Sequence, residues 1–326
     1  MYRPEIVMQA KQRLAQRKAE KESKYHQHLQ QAYAQLPRLK QIDIELRRTM
    51  TVAAQTVFTQ GGDPVAAMEQ VKKENLTLQR ERKDLIEKNF APGYLDESPV
   101  CAHCGGSGYV GSQMCGCLKM LCAEGQKASL YQLTTGAETF ENFRLDYYPE
   151  RFNSDVGASP RAIMERNLKT CKQYAAAFEK GIGNLLFVGG TGLGKTYLSA
   201  CIANVVTDRG FSVAYESAPQ LFAKLEKNRF NPDEESRSEA DYFASCDLLI
   251  IDDLGTEMPG NFVTAALYGL LNQRLLDGKS MIISTNLNNA EIAQRFSPQI
   301  ASRILGNFKN MVFLGEDIRI LKNRGI

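Results

Sequence analysis

The feature of this 326-residue sequence that most constrains its fold is a run of eight residues containing four glycines. The run is Gly189-Gly190-Thr191-Gly192-Leu193-Gly194-Lys195-Thr196, and the apolar stretch Leu185-Leu186-Phe187-Val188 precedes it directly. It fits the pattern G-x-x-x-x-G-K-[ST], whose glycines let backbone N–H groups turn toward phosphate oxygens at the start of a helix. We therefore predict a phosphate-binding loop between a strand and a helix, with Lys195 on the β- and γ-phosphates and Thr196 on Mg²⁺.

The C-terminal half of the sequence alternates short apolar runs with helix-length segments. This alternation predicts an α/β fold, in which a parallel sheet is covered by helices on both faces. The predicted strands are Leu185–Val188, Ser212–Tyr215, Leu248–Ile251, Met281–Ser284 and Met311–Leu314. The polar stretch 231–239 interrupts this pattern and is predicted to be a mobile loop.

Polar side chains follow two of these predicted strands. Asp252 and Asp253 come directly after Leu248–Ile251, and Asn286 lies two residues after Met281–Ser284. Ligands of α/β sheets bind at the carboxyl ends of the strands. We expect Asp252 to bind Mg²⁺, Asp253 to orient or deprotonate the attacking water, and Asn286 to contact that water or the γ-phosphate. The alternatives are a capping role for Asp253 and an ordinary turn at Asn286.

These motifs resemble those of the AAA+ ATPases, in particular the bacterial helicase loaders of the DnaC/DnaI type and the related IstB-like transposition ATPases. The resemblance covers roughly residues 150–326. It makes 189–196 the Walker A motif, 248–253 the Walker B motif and Asn286 sensor 1. The run 252–257 looks like the form that this subfamily gives Walker B, with Asp253 where a glutamate is commoner in other AAA+ proteins.

Two arginines are assigned by the same resemblance. Arg303 matches the arginine finger and Arg319 the sensor 2 arginine, although either could be an ordinary surface residue in a salt bridge. About a dozen residues follow the last predicted strand, too few for the helical lid of most AAA+ proteins. Loader and IstB-like modules resemble this truncated form.

Five of the eight cysteines lie between Cys101 and Cys122. Cys101, Cys104, Cys115 and Cys117 form two close pairs joined by a glycine-containing loop, a spacing that suits a closed tetrahedral Zn²⁺ site. His103 and Cys122 are alternative ligands, and reduced structural cysteines are the alternative to a metal. A zinc-bearing N-terminal domain is implied by resemblance to the DnaI-type loader and is not expected in IstB-like proteins.

The first 90 residues show apolar positions at helical spacing and have a net charge of +6, whereas the rest of the chain is net negative. They contain 17 Lys and Arg against 11 Asp and Glu, whereas the whole chain has a net charge of +3. We predict helices interrupted at Gly61-Gly62, with Asp63-Pro64 starting a new one. They form either a bundle packed on itself or a surface for a partner.

The predicted organisation is a helical partner-binding region (1–90), a zinc module (91–125), a linker (126–160) and an AAA+ ATPase domain (161–326). The resemblance implies an ATP-dependent loader of the replicative DNA helicase. It would bind ATP, Mg²⁺, Zn²⁺ and single-stranded DNA, and would self-associate through its AAA+ domain.

Three other functions remain compatible with parts of the sequence. They are an IstB-like ATPase that assists a transposase, a small-molecule P-loop kinase, and a zinc-dependent DNA-binding scaffold with a vestigial ATP site. The cysteine cluster disfavours the first, the lack of an arginine-bearing lid disfavours the second, and intact motifs disfavour the third. With 43% hydrophobic residues and no apolar run near the ~18 needed to span a bilayer, we expect a globular cytoplasmic protein.

Overall fold

The computed structural model describes residues 2–59, 64–133, 138–152, 154 and 157–323. Gly61, Gly62 and Asp63, where the sequence predicts a helix break, lie outside these residues. A 3₁₀ turn spans Leu145–Tyr147. The helices described are α1 (Pro4–Gln35), α2 (Pro37–Thr59), α3 (Pro64–Asn89), α4 (Gly116–Leu133), α5 (Pro160–Ala176), α6 (Lys195–Asp208), α7 (Ala218–Phe230), α8 (Glu234–Ser245), α9 (Asn261–Leu276), α10 (Asn289–Arg295), α11 (Pro298–Asn307) and α12 (Ile318–Asn323).

The described strands form a two-stranded hairpin and a five-stranded parallel sheet with the order β4-β5-β6-β3-β7, which confirms the predicted α/β fold. All carboxyl ends of the parallel sheet therefore lie at one edge. The strands are β1 (Tyr109–Val110), β2 (Gln113–Met114), β3 (Asn184–Val188), β4 (Val213–Ser217), β5 (Leu248–Leu254), β6 (Ser280–Thr285) and β7 (Phe308–Val312).

The last strand begins three residues earlier than Met311–Leu314, the range that the sequence predicts. Phe308 directly follows α11 and pairs with Asn184 of β3, so the strand starts without a loop. Phe313, which follows β7, is fully buried, and its N–H still bonds to the carbonyl of Val188. Its apolar side chain therefore extends the strand-like sequence pattern beyond the strand.

Two apolar clusters cover opposite faces of the parallel sheet. Leu185 and Phe187 of β3 belong to one cluster, whereas Leu186 between them belongs to the other. Successive side chains of a strand point to opposite faces, so both faces of β3 are buried. This burial explains why the strand reads as a continuous apolar run rather than an alternating one.

The stretch 231–239, predicted to be a mobile loop, is instead largely the first part of α8. Asp233 caps this helix: its carboxylate accepts from the N–H of Ser236, and the Ser236 hydroxyl lies 3.0 Å from the N–H of Asp233. Glu234 and Glu235 place negative charge in the first turn, where the helix dipole favours it. The prediction was wrong because these polar residues form a helix start.

The other end of α8 is held by a buried arginine. Arg274 of α9 is fully buried and donates to the carbonyls of Phe243 (2.7 Å) and Cys246 (3.1 Å) at the end of α8. It also donates to the carbonyl of Ser280 at the start of β6 (2.7 Å). A positive charge at a helix C-terminus is favourable, and here it also satisfies carbonyls that no water reaches.

The chain divides into two compact units, whose limits differ from the predicted ranges. One unit contains residues 1–12 and 116–326, and the other contains 13–115. Residues 2–12 belong with the unit that holds the parallel sheet, and Tyr2, Ile6 and Ala10 are buried there. Ile6 is 7% exposed, and Arg3 forms an ion pair (2.9 Å) with Glu216 of β4, which is 3% exposed.

The second unit is mainly helical. Helices α2 and α3 pack against each other and are joined by ion pairs between Arg82 and Asp43 (2.7 Å) and between Arg38 and Glu81 (2.8 Å). The predicted helical region is thus confirmed for the residues described. Among all the residues that the structure describes, no helix is both long and apolar enough to cross a membrane.

Candidate functional site

The predicted phosphate loop lies between β3 and α6, and two of its glycines, Gly192 and Gly194, occupy positions that disfavour a side chain. Gly192 has φ +70°, and a Cβ there would lie 1.9 Å from the Asp317 carboxylate. Gly194 has φ +89°, and its Cβ would lie 2.9 Å from the Tyr148 hydroxyl. L-residues with a side chain rarely adopt such φ angles, so both backbone conformation and space require glycine here.

Lys195 lies inside this loop, with its residue 4% exposed. Its Nζ donates to the carbonyls of Gly189 (2.7 Å) and Gly190 (2.6 Å) and to Oδ1 of Asn286 (2.6 Å). Burial lowers the pKa of Lys195, while the carboxylates of Asp253 and Asp252 oppose that shift. The structure therefore brings together Lys195 and Asn286, which lie 91 residues apart in the sequence.

Asp252 lies at the carboxyl end of β5 and is 6% exposed. One carboxylate oxygen accepts a hydrogen bond from the Tyr215 hydroxyl of β4 (3.0 Å), and the other accepts from the Ser284 hydroxyl of β6. Strands on both sides of β5 thus fix the orientation of the carboxylate. Neither Tyr215 nor Ser284 was predicted, although both lie in predicted strands beside polar residues.

Asp253 has φ +55° and is the one described non-glycine residue with a positive φ. Its backbone N–H donates to the Ser284 hydroxyl (2.9 Å). Burial, reinforced by the neighbouring charge of Asp252, raises the pKa of Asp253, while Lys195 opposes this shift. A carboxylate with a raised pKa is a better proton acceptor than an ordinary aspartate.

A cavity of about 420 Å³ opens beside the phosphate loop. Its walls include Thr191 to Tyr197, with Thr196 among them, as well as Asp253 and Arg319. The remaining wall comes largely from residues in the predicted linker 126–160, including Phe143, Tyr147 and Tyr148. The aromatic residues in the stretch 143–148 were the signal that sequence reasoning missed.

The two predicted arginines lie in different places. Arg319 of α12 lines the cavity and lies near enough to Lys195 and Asp253 to influence both pKa values. Arg303 of α11 does not line it; its guanidinium stacks on the Tyr268 ring at 4.4 Å and donates to Asn272. The structure therefore brings Arg319 to this cavity and holds Arg303 on α9 instead.

The four predicted metal-binding cysteines form one group. The sulfur atoms of Cys101, Cys104, Cys115 and Cys117 lie within 4.8 Å of one another, and those of Cys101 and Cys115 are 3.8 Å apart. Zinc–sulfur bonds of ~2.3 Å in a tetrahedron require sulfur atoms about 3.8 Å apart, so the geometry fits zinc. The N–H of Gly108 donates to the Cys104 sulfur (3.3 Å), as expected beside a metal-binding thiolate.

Neither alternative ligand joins this group among the residues described. Cys122 is fully buried in α4, and burial raises the pKa of its thiol to about 11, which disfavours a free thiolate. Cys171, Cys201 and Cys246 are likewise buried among apolar residues.

Comparison with known proteins assigns the sheet-containing region to a family. The family model described as IstB-like ATP binding protein matches residues 147–310. The replicative helicase loader DnaC of Escherichia coli K12 is 24% identical over 153 residues, which are 47% of this chain and 62% of the loader. The chain thus spans about three fifths of the length of that relative.

Other relatives and structures match the same part of the chain. The insertion sequence IS21 putative ATP-binding protein of Pseudomonas aeruginosa is 24% identical over 181 residues, 48% of this chain and 66% of that protein. The crystal structure of the DnaC helicase loader (TM-score 0.45, 22% identity) covers 54% of this chain and 98% of its own. That of DnaI (TM-score 0.44, 20% identity) covers 56% and 90%.

The matched residues 147–310 contain the phosphate loop, both aspartates after β5 and Asn286, and they make up half of the chain. The site geometry and the family model agree on the same region. The chain therefore belongs to the IstB-like ATP-binding family, and its phosphate loop lies within the residues that the family model matches.

Proposed function

We propose that this protein hydrolyses ATP and uses this hydrolysis to load the replicative DNA helicase. The observation that carries the ATPase part is the meeting of Lys195, Asp253 and Asn286 beside a cavity of about 420 Å³. Such a cavity is within the usual size range of small-molecule sites. The helicase enters the proposal through the relatives named replicative helicase loader DnaC.

In the proposed reaction, water attacks the γ-phosphate in line with the leaving oxygen. Asp253 accepts the proton of that water, and its raised pKa suits the task. Asn286 orients the same water or the γ-phosphate. Lys195 exchanges its bonds to the carbonyls of Gly189 and Gly190 for phosphate oxygens.

Thr196 and Asp252 are the proposed Mg²⁺ ligands. The hydrogen bonds from Tyr215 and Ser284 leave each Asp252 oxygen with lone-pair capacity, so the carboxylate fits this role. When bound, the ion supplies charge neutralisation of the phosphates. Arg319, at the cavity, is proposed to stabilise the same negative charge in its own subunit.

Arg303 is proposed to act on ATP bound by a neighbouring subunit. The support is its place outside the lining of its own cavity, held on α9 by Tyr268 and Asn272. Hydrolysis then depends on self-association through the AAA+ domain.

We further propose that the cysteine group binds one Zn²⁺ and, together with the basic helical region 1–90, contacts the helicase. The positive charge of that region suits an acidic protein surface. The AAA+ domain is proposed to bind single-stranded DNA as well as ATP, and the protein to act in the cytoplasm.

Co-purification distinguishes this function from its nearest alternative. The tagged chain is mixed with a candidate replicative helicase, and separately with the transposase encoded by an IS21-type element, each with and without ATP. We expect capture of the helicase and not of the transposase, with unchanged capture by Asp277→Asn, an exposed carboxylate at the end of α9. Capture of the transposase and not of the helicase would replace helicase loading with a role in transposition. The similarity to the IS21 protein makes this the specific alternative.

A further inference from the structure

Two successive carbonyls of the phosphate loop accept hydrogen bonds from outside the loop. The carbonyl of Gly192 accepts from the N–H of Ile318 (3.0 Å), and the carbonyl of Leu193 accepts from the hydroxyl of Tyr148 (2.9 Å). The carbonyls of Gly189 and Gly190 instead face Lys195 within the loop. The two halves of the loop are therefore oriented in different ways.

The bond from Tyr148 determines the direction of the peptide between Leu193 and Gly194. A trans peptide is planar, so its C=O and N–H groups point in opposite directions. With the Leu193 carbonyl bonded to Tyr148, the N–H of Gly194 points away from Tyr148. A phosphate-binding loop needs N–H groups that face the phosphate.

Tyr148 is itself held firmly in place. The residue is fully buried; its N–H bonds to the carbonyl of Leu145 (3.0 Å), and its carbonyl accepts from Arg161 of α5 (3.0 Å). A Cβ on Gly315 would lie 3.1 Å from the ring, so that glycine leaves room for it. Burial also raises the pKa of Tyr148 well above its ordinary value, so the hydroxyl keeps its proton throughout the neutral range.

We propose that Tyr148 is a positioning residue of the nucleotide site, which sets the Gly194 N–H toward the β-phosphate before nucleotide binds. The hydroxyl acts through the loop, by its bond to the Leu193 carbonyl. This inference rests on the proposed ATP-binding function of the same cavity. It adds a residue from the stretch before α5 to a loop otherwise formed by β3 and α6.

The test compares nucleotide affinities of full-length Tyr148→Phe and wild-type protein without Mg²⁺, by competition against a fluorescent ADP. One net hydrogen bond corresponds to a factor of roughly three to ten in affinity. We expect the affinity for ADP to fall by that factor. The affinity for AMP should stay unchanged, because AMP lacks the β-phosphate. The matched control is Tyr174→Phe, which removes a hydroxyl bonded to the Gly183 carbonyl (3.0 Å) in the same apolar cluster. It should leave both affinities unchanged.

The outcomes separate this inference from the function on which it rests. Wild-type protein that binds no ADP would refute the nucleotide site itself. If wild-type protein binds ADP, two results would refute the positioning role only. Tyr148→Phe would either bind ADP as well as wild type does, or lose affinity for ADP and AMP alike. If Tyr148→Phe does not fold, Tyr148→Met, whose flexible side chain fills the space without a hydroxyl, is judged by the same criteria.

Discussion

Replacing the Asp253 carboxyl by an amide should separate ATP binding from ATP hydrolysis. Asp253 has φ +55°, a conformation that asparagine tolerates better than most residues, so Asp253→Asn keeps the backbone. The hydrogen bond from its N–H to Ser284 does not involve the side chain and also remains. The substitution removes a half-buried carboxylate beside Asp252 and leaves the phosphate loop unchanged.

The expected loss follows from the loss of the proton acceptor alone. A general base contributes a factor of about 10²–10⁴ to a rate, equivalent to roughly 3–5 kcal/mol of barrier. ATP affinity should be retained or increased, because one negative charge near the phosphates is gone. Asp253→Gly, which suits the same φ without any side chain, should be equally slow.

The assay measures phosphate release at saturating ATP and Mg²⁺, together with ATP affinity by titration. Asp253 is active as the carboxylate, so wild-type turnover should fall as the pH falls through its pKa. The pH at which turnover is half-maximal should lie above the ordinary aspartate range, because burial raises this pKa. Asp253→Asn should lack this fall in turnover at low pH, and Asp277→Asn should behave as wild type. Turnover of Asp253→Asn within threefold of wild type would refute the base assignment.

Three further predictions concern other parts of the chain. Metal analysis of protein purified under reducing conditions should find about one zinc per chain, and zinc-free protein would contradict this. Removal of the zinc by acid or chelator should weaken helicase capture, while nucleotide binding should largely survive. Arg303→Ala should bind ATP and lose nearly all hydrolysis, since such fingers are worth roughly 10³–10⁵ in rate, and mixing it with Lys195→Ala should restore some activity. Co-assembled but inactive mixtures would argue against action between subunits. Arg274→Met should lower the free energy of unfolding by about 3 kcal/mol or more, because it leaves several buried carbonyls unpaired. Replacing the exposed Arg237 by Met should change the free energy of unfolding little. Equal melting temperatures of the two variants would contradict this prediction.

Four strands of the sheet, β3 to β6, were predictable because they are buried on both faces. Leu185 to Val188 read as a strand whatever surrounds them, and the glycine pattern after them has one established use. Strand order and the meeting of Lys195 with Asn286 depend on pairing between distant segments. The meeting of these side chains was expected from the general rule for carboxyl ends of parallel strands, whereas the strand order was not predicted.

Other features depend on contacts that leave little trace in local sequence. The stretch 143–148 looked like a linker because its aromatic residues follow no helical or strand periodicity, yet Tyr148 is buried against the phosphate loop. The polar start of α8 looked like a loop because capping residues and loop residues are the same types. Arg274 gave no signal at all, since arginine is rarely buried.

The attachment of residues 2–12 to the parallel sheet has a consequence for how the protein is made. Arg3 leaves the ribosome before its partner Glu216, which is 213 residues further along the chain. Closing so long a loop is slow compared with forming local helices, so this part of the fold is completed late in synthesis. A fragment that starts at residue 116 would never complete it: the Glu216 carboxylate, 3% exposed, would keep Lys224 as an ion-pair partner but lose Arg3.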